Sequence, residues 1–328
     1  MTDAYDLHPT VMWELTRACD LHCRACPVGA SAGPGANELT TYESYKTIDQ
    51  IAELRPRELL ITGGDPLERD DVYQVIDYAR RRGLDPALVV SPTARVTQES
   101  LANLQRNGLT TIVFRVDDAV TGDLTMLRWA ELIGFRIEIN TLIWRRTMNE
   151  LEAIADRIRP FGIARWNLHF VVPVGGSREI EMITSAEAEQ VFTEIDAIRE
   201  REEFAIRVIE APHYRRFRLE RSFGSYLEGA RELLDSARDG ARSFVYISHA
   251  GDVRASEFAP HSAGNLRYRP LGAIYRASDL FVALRDPDNL KGRCRRCEYR
   301  HVCGGSRARA WAMTGDLFGS DPLCAFGA

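Results

Sequence analysis

From Val11 to about Glu210 the chain alternates short β-rich runs with helical patterns, and that alternation narrows the possible folds more than any other feature. Seven runs read as strands: TVMWELT, RELLIT ending at Thr62, ALVVS ending at Ser91, TTIVFRV ending at Val116, FRIEIN ending at Asn140, ARWNLHFVV ending at Val172 and FAIRVI ending at Ile209. Between them lie segments such as TYESYKTIDQIAEL and DVYQVIDYARRRG, whose apolar residues recur at the spacing of a helix with one buried face. Thr40 followed by Glu43 fits a capping box. Gly83, Gly108, Gly134 and Gly162 each follow a helical pattern where the chain must turn back. Repeated β–α units with short links require parallel strands covered by helices. The fold is therefore α/β, either a barrel or an open doubly wound sheet, and in both the chemistry sits on loops leaving the carboxyl ends of the strands.

At 328 residues the chain can hold one such unit plus a smaller module. The pattern changes after Pro212 to an arginine-rich helical region, HYRRFRLERSFGSYLEGARELLDSA, read as a connector. Its His213, Tyr214, Arg215, Arg216 and Arg218 read by default as a solvated helix face, with steering of an anionic small molecule as the alternative. A compact segment then begins with SFVYISHAGDVRAS, two β-runs turning at His249 to Asp252 like a hairpin, and ends in a cysteine-rich tail. The expected organisation is thus 1–212, 213–243 and 244–328.

The apolar share of 45% and charged share of 27% are those of an ordinary folded protein. A net charge of -5 speaks against a surface built to coat nucleic acid. The opening MTDAYDLHPTVMWELT has neither the basic start nor the apolar core of a signal peptide, and no apolar run approaches the roughly 18 residues of a membrane span. The expectation is a cytoplasmic protein with neither a membrane nor a nucleic-acid partner. In that reducing setting spaced cysteines are metal ligands or catalytic groups rather than disulfides. All seven fall in two clusters: Cys19, Cys23 and Cys26 after the first strand, then Cys294, Cys297, Cys303 and Cys324 in the tail.

Three thiolates spaced C-x3-C-x2-C on one loop can converge on a soft metal centre. A structural zinc would want a fourth protein ligand, and no other cysteine is near in sequence. A 4Fe-4S cluster on three thiolates instead leaves one iron open to bind a small molecule.

With these cysteines and the Thr62-Gly63-Gly64-Asp65-Pro66 stretch after the second strand, the chain resembles the radical S-adenosylmethionine superfamily. That family carries C-x3-C-x2-C after the first strand of a partial (β/α)6, TIM-like barrel, and Gly-Gly-Glu-Pro after the second. Here aspartate replaces the glutamate. The resemblance implies that Cys19, Cys23 and Cys26 hold a 4Fe-4S cluster whose open iron is chelated by S-adenosylmethionine. It also implies that the Gly63-Gly64 backbone, with Asp65 and Pro66, meets the methionine amino group. Glycine suits that place because no Cβ blocks close approach. Ser91, Thr93 and Asn140 become candidates for the ribose and carboxylate, and Val172 and Pro173 for flanking the adenine. One electron, from a donor such as flavodoxin or ferredoxin, would cleave the cofactor to methionine and a 5′-deoxyadenosyl radical that takes hydrogen from a substrate, making the chain an oxidoreductase or a lyase.

The tail spacing C-x2-C-x5-C-x20-C suits zinc or an iron–sulfur cluster when taken alone. It is similar to the SPASM and twitch extensions of the same superfamily, which implies a second, auxiliary 4Fe-4S cluster on Cys294, Cys297, Cys303 and Cys324. Full SPASM domains carry further cysteines, where this chain has Ser306 after Cys303-Gly304-Gly305, and Ser256 near the hairpin. Seven cysteines therefore divide as three plus four, for two clusters. Arg307 and Arg309 are read either as neutralising the thiolate cluster and pairing with Asp316 and Asp321, or as binding substrate.

For the substrate, the ending CGGSRARAxAxTGDxxxxDPLC is similar to radical enzymes that modify tetrapyrrole side chains and to mycofactocin-type peptide maturases. Arg115, Asp117 and Asp118 stand where many relatives have Ser-Leu-Asp-Gly, and are candidate substrate contacts, with an internal salt bridge or helix cap as the structural alternative. Ala25, just before Cys26, leaves room near the cluster. The first strand begins within about ten residues of Met1, so no peptide-recognition domain is expected ahead of it. The favoured reading is oxidative or decarboxylating modification of a small carboxylate-bearing anion such as a tetrapyrrole. The alternatives are nucleoside or sugar modification, a peptide maturase, and a non-catalytic metal scaffold.

Overall fold

The structure is a computed structural model and describes residues 8–21, 23, 26, 29–117, 119–120, 123–221 and 243–327. Ala25, Asp118 and most of the expected connector lie outside the described residues. The seven expected strands all form: β1 (Thr10–Glu14), β2 (Glu58–Thr62), β3 (Pro86–Val89), β4 (Thr111–Arg115), β5 (Arg136–Ile143), β6 (Arg165–Phe170) and β7 (Ala205–Ile209). They pair in parallel in that order. β5 runs three residues past the expected end at Asn140, because β6 continues beside it to Phe170 and pairs with Ile143.

The helices between them are α1 (Thr41–Leu54), α2 (Val72–Arg81), α3 (Gln98–Arg106), α4 (Thr125–Ile133), α5 (Leu151–Ile158) and α6 (Ser185–Arg199). α1 starts at the capping box read from the sequence. The Thr40 hydroxyl accepts from the Glu43 N–H at 3.3 Å and the Glu43 carboxylate accepts from the Thr40 N–H at 2.9 Å. Its inner face buries Ile48, Ile51 and Leu54 against the sheet, each side chain worth about 1.5–3 kcal/mol in transfer from water. α4 ends at Gly134, whose φ of 93° is open to glycine at little cost.

Ion pairs across the interior show that the sheet is curved. Glu58 at the start of β2 accepts from Arg207 of β7 at 2.7 Å and also pairs with Arg165 of β6. Strands that lie four and five places apart in the sheet meet only if it rolls into a partial barrel, while Trp13, Phe114 and Trp166 belong to the apolar core that the sheet shares with its helices.

After β7 the chain forms α7 (His213–Arg221), and here the default reading of a solvated helix face is corrected. His213, Tyr214, Arg215, Arg216 and Phe217 are all buried. The aromatic rings of α7 pack on Phe192 of α6, Arg216 pairs with Glu189 and Glu220, and Arg218 pairs with Asp196. Arginine can enter such a place because its carboxylate partners enter with it.

The C-terminal part contains β8 (Phe244–Ile247), β9 (Asp252–Arg254) and β10 (Ser262–Asn265), then α8 (Leu271–Ala277), α9 (Asp279–Arg285), α10 (Gly292–Arg296) and α11 (Arg307–Thr314). β8 and β9 form the hairpin read from the sequence, and β8 also pairs in parallel with β1. The module thus extends the barrel sheet on the edge beside the first strand. Among the described residues no helix is long and apolar enough to cross a membrane.

Candidate functional site

A cavity of about 310 Å³ opens at the carboxyl ends of the strands and runs down the barrel interior. Cys19, Cys23 and Cys26 line one side, followed by Gly63, Gly64, Ser91, Arg115, Asp117, Asn140 and Val172. The opposite wall comes from the end of β7, from α7 and from the C-terminal module, through Glu210, Arg215, Ser256, Glu257, Ser306 and Arg307. Sites read on separate segments therefore meet around one space.

The loop bearing the three cysteines is held by backbone geometry. The N–H groups of Gly64 and Asp65 donate to the carbonyls of Thr16 and Ala18 at 2.8 and 2.7 Å. A Cβ on Gly63 would lie 2.5 Å from the Thr16 carbonyl oxygen, and one on Gly64 2.3 Å from that of Ala18. Both glycines are thus required for the cysteine loop to approach at all, in addition to facing the cavity. Glu38 secures the same loop by accepting from the Thr16 hydroxyl, the Arg17 N–H and the Gly35 N–H at 2.9, 2.8 and 2.7 Å. From the C-terminal module, His249 places Nδ1 2.7 Å from the buried Glu14 carboxylate at the end of β1. Burial opposes the Glu14 charge, but the bonds from His249 hold the carboxyl below its ordinary value.

The three cysteines are donors of the kind a soft metal centre uses, although among the described residues no group of three His, Cys, Asp or Glu side chains is already gathered as a metal site. The N–H groups of Leu21 and Ala30 point at Sγ of Cys19 and Cys26, each at 3.4 Å, as stabilises sulfur carrying negative charge. Burial pushes the Cys19 thiol up, so a metal bound there would have to displace its proton.

The remaining expected residues divide. Ser91, Asn140 and Val172 line the cavity; the Ser91 hydroxyl donates to the Gly64 carbonyl at 3.4 Å, and Asn140 accepts from Asn167 at 3.0 Å. Val172 packs with Val174 and Ala308, sealing α11 to the barrel. Asp65, Pro66, Thr93 and Pro173 are not among the lining residues. The Thr93 hydroxyl donates to the buried Asp65 carboxylate at 2.5 Å, and that carboxylate also accepts from the Leu67 N–H at 3.1 Å, which shapes the turn after β2. Arg115 and Asp117 line the cavity and also pair with each other, and Asp117 accepts from the Leu142 N–H at 2.7 Å.

A second, smaller pocket of about 30 Å³ is lined by Cys294, Cys297, Cys303 and Cys324, with Arg293 and Arg300 beside them. Its sulfurs also meet donors: the Gly305 N–H at 3.4 Å from Cys303 and Arg307 Nη2 at 3.8 Å from Cys294. Burial pushes the Cys303 thiol up to about 12. Neither serine at a SPASM cysteine position lines this pocket. Ser256 accepts from the Phe258 N–H at 3.1 Å, and Ser306 accepts from the Arg309 N–H at 3.0 Å as the N-cap of α11. The two readings of the arginines separate as well. Arg307 leans on a cysteine, whereas Arg309 is fully buried against Asp321 at 3.3 Å, and Asp316 pairs with Lys291 instead.

Comparison with known proteins bears on this arrangement. The family model for the radical SAM superfamily matches residues 13–173, the span from β1 past β6. The chain is 30% identical to an AdoMet-dependent heme synthase of Nitratidesulfovibrio vulgaris, over 96% of this chain and 92% of that protein. The chain belongs to the radical S-adenosylmethionine superfamily.

Similarity to a second AdoMet-dependent heme synthase, from Methanosarcina barkeri, is 29% identity over 96% of each chain. Among solved structures, Streptococcus suis SuiB bound to S-adenosylmethionine superposes with a TM-score of 0.76 at 14% identity, covering 97% of this chain and 77% of that one, a likeness of fold. This radical SAM enzyme therefore combines a partial α/β barrel with a cysteine-rich C-terminal region resembling a SPASM or twitch domain. It binds S-adenosylmethionine and generates a 5′-deoxyadenosyl radical from it. The alternative of a non-catalytic metal scaffold falls.

Several groups in the enzyme's cavity wall were missed in the sequence. His169 and Arg165 of β6, Arg207 of β7, Glu210 and Glu257 all line it. A signal existed for β6, where Arg165, Asn167 and His169 alternate with Trp166, Leu168 and Phe170, the period-two pattern of a strand with a polar inner face. Burial, with Arg207 and Arg115 nearby, pushes His169 down to about 3, so it faces the cavity neutral, and its buried Nε2 has no hydrogen-bond partner among the described residues. For Glu210 and Glu257 no local pattern exists, because their meeting depends on how the C-terminal module docks.

Proposed function

We propose that this radical SAM enzyme holds two 4Fe-4S clusters, one on Cys19, Cys23 and Cys26 and an auxiliary one on Cys294, Cys297, Cys303 and Cys324, and modifies a carboxylate-bearing small molecule, with a tetrapyrrole as the leading candidate. In this reading residues 1–212 form the radical-generating unit, residues 213–243 link it, and residues 244–328 carry the auxiliary centre. The observation that carries the proposal is the shared cavity, whose wall joins the first three cysteines to Arg215 and Arg307 from the far side. The names of its relatives, AdoMet-dependent heme synthases, support the tetrapyrrole class.

Each part of the chain has a task. Gly63 and Gly64 let the cysteine loop pack on the turn after β2, where the cofactor would sit; Ser91 and Asn140 would offer a hydroxyl and an amide to its polar groups, and Val172 would lend an apolar surface. The bound cofactor supplies the hydrogen-abstracting radical. A saturated propionate that loses a hydrogen atom next to its ring, then carbon dioxide, becomes a vinyl group and gives up one electron, which the proposed auxiliary cluster would accept. An external one-electron donor such as flavodoxin or ferredoxin would start each cycle.

The test is an iron and sulfide count on anaerobically reconstituted protein, followed in the same sample by dithionite, S-adenosylmethionine and a candidate carboxylated porphyrin. About eight irons, with 5′-deoxyadenosine and carbon dioxide released together, is the expected result. About four irons removes the auxiliary cluster from the reading. Cofactor cleavage without change in any porphyrin removes the tetrapyrrole.

A further inference from the structure

Two carboxyl groups from distant parts of the chain meet on the cavity wall. Glu210 follows β7 with a φ of 57°, a left-handed conformation uncommon outside glycine and found where surroundings over-determine the backbone. Those surroundings are Arg309, which donates to its carbonyl at 2.6 Å, and Ser306, whose hydroxyl donates to its carboxyl group. Glu257 follows β9 in the C-terminal module, and its carboxyl makes no hydrogen bond to any other residue among the described ones. Its accessible surface faces the cavity.

The groups around Glu257 favour a proton on it. Burial pushes its carboxyl up to about 8, and the neighbouring Glu210 adds to the rise. Burial raises Glu210 as well, against the opposing effects of Ser306 and Arg309. From β8 comes the Tyr246 phenol, itself pushed up by burial and by Glu14 and Glu257, with Arg254 of β9 beyond it 3.9 Å from Asp252. Arg215 of α7 and Arg307 of α11 line the same cavity without figuring among the groups that act on Glu257; the first is bonded to the Val302 carbonyl at 3.3 Å and the second to those of Leu317 and Gly319 at 3.1 and 2.7 Å. An ionised Glu257 would face a second carboxyl and a phenol. A neutral Glu257 has an O–H to donate, and among the described residues no hydrogen bond takes it up.

We propose that Glu257 is a recognition residue of the substrate site, donating a hydrogen bond as a neutral carboxylic acid to a carboxylate of the substrate. The inference rests on the carboxylate reading above and names the residue that selects for it. An acid–carboxylate hydrogen bond is short and charge-assisted, and it exists only while the proton stays on the pair. Binding of the anion therefore requires the protonated site, and affinity falls as pH rises through the carboxyl's own value. For a group near 8, the loss is about tenfold between pH 7 and pH 9. An amine-bearing ligand would bring out the opposite slope, since it would bind the ionised carboxylate.

The experiment is a fluorescence titration of the full, reconstituted protein with coproporphyrin III, a tetracarboxylic porphyrin, at pH 7 and pH 9. Wild-type protein is expected to bind about tenfold more weakly at pH 9. Glu257→Gln, a neutral donor of the same shape, is expected to bind within a few-fold of wild type at pH 7 and to lose the pH dependence. Affinity that is level between the two pH values, or that tightens at pH 9, overturns the proposal, as does a Glu257→Gln protein that keeps the wild-type slope. Failure of coproporphyrin III to bind at either pH defeats the tetrapyrrole reading itself, and the inference with it. A ligand-free readout keeps the assignment separate. The infrared difference between wild type and Glu257→Gln at pH 7 is expected to show the C=O band of a neutral carboxylic acid, and a carboxylate band in its place overturns the proposal whatever binds.

Discussion

Replacing Arg309 by methionine is expected to cost about 3–5 kcal/mol of stability at pH 7 to 8, with the loss concentrated where the C-terminal module meets the barrel. Arg309 is fully buried at the start of α11. Its guanidinium donates to the carbonyls of Val171 at 3.2 Å, Phe170 at 3.4 Å and Glu210 at 2.6 Å, closing over the exits of β6 and β7, and lies 3.3 Å from Asp321. Asp321 in turn accepts from the N–H groups of Ser306 and Leu323 at 2.7 and 3.1 Å, three residues from Cys303 and one from Cys324. Burial opposes its charge, yet Arg309, His213 and these amides hold the carboxyl below its ordinary value. Methionine fills the space but leaves Asp321 a buried, unpaired charge. The damage has a ceiling, because the carboxyl can take a proton. Protonating an aspartate at pH 7 from an ordinary value near 3.9 costs about 4 kcal/mol. The sign with pH follows. In the variant the folded-state value lies above the unfolded one, so the penalty is largest at neutral and higher pH and shrinks as pH falls toward 5. The assay is urea unfolding of reconstituted wild-type and Arg309→Met protein, followed by tryptophan fluorescence at pH 8 and pH 5. A deficit under about 1 kcal/mol at pH 8, or one that does not shrink at pH 5, refutes the reasoning.

Gly64→Ala is expected to reduce iron at the first site while leaving about four irons at the second, because the new Cβ would sit 2.3 Å from the Ala18 carbonyl and push the cysteine loop away; an unchanged iron count would show that the loop yields. Cys19→Ala should abolish 5′-deoxyadenosine formation and retain the auxiliary cluster, checked by iron count and electron paramagnetic resonance; loss of both centres would mean that the two sites depend on each other structurally. Burial works against the Glu58 charge, but Arg207 and Arg165 hold its carboxyl down to about 2. This contribution, about 3 kcal/mol, is present above the unfolded value near 4.3 and lost as pH falls from there toward 2. Glu58→Gln should be less stable at neutral pH and show a shallower acid limb in unfolding free energy against pH.

Much of the candidate site was legible because its chemistry is local. Cysteine spacing lies within a few residues of chain, so Cys19, Cys23 and Cys26 could be read as one ligand set without knowing the fold, as could Thr40 and Glu43 as a cap. Gly63 and Gly64 were legible as a place of close approach; the fold adds that the cysteine loop's own backbone is what approaches. Thr93 was read at a strand end but turns to Asp65, since which way a side chain points after a strand depends on the loop around it. α7 was misread because arginine content alone does not reveal that Glu189, Glu220 and Asp196 are there to meet it.

The sequence by itself determined the order of β and α elements, the two cysteine sets and the family. These depend on periodicity and short spacing, which a chain carries before it folds. Only the tertiary structure decided what surrounds the reaction space. Curvature of the sheet brings Glu58 to Arg207 across the barrel floor, and docking of the C-terminal module brings Glu257 to Glu210 and Arg309 to the ends of β6 and β7. Such contacts join residues tens to more than a hundred positions apart, and their energies depend on burial and on the partner met. Neither quantity exists until the chain has closed around them.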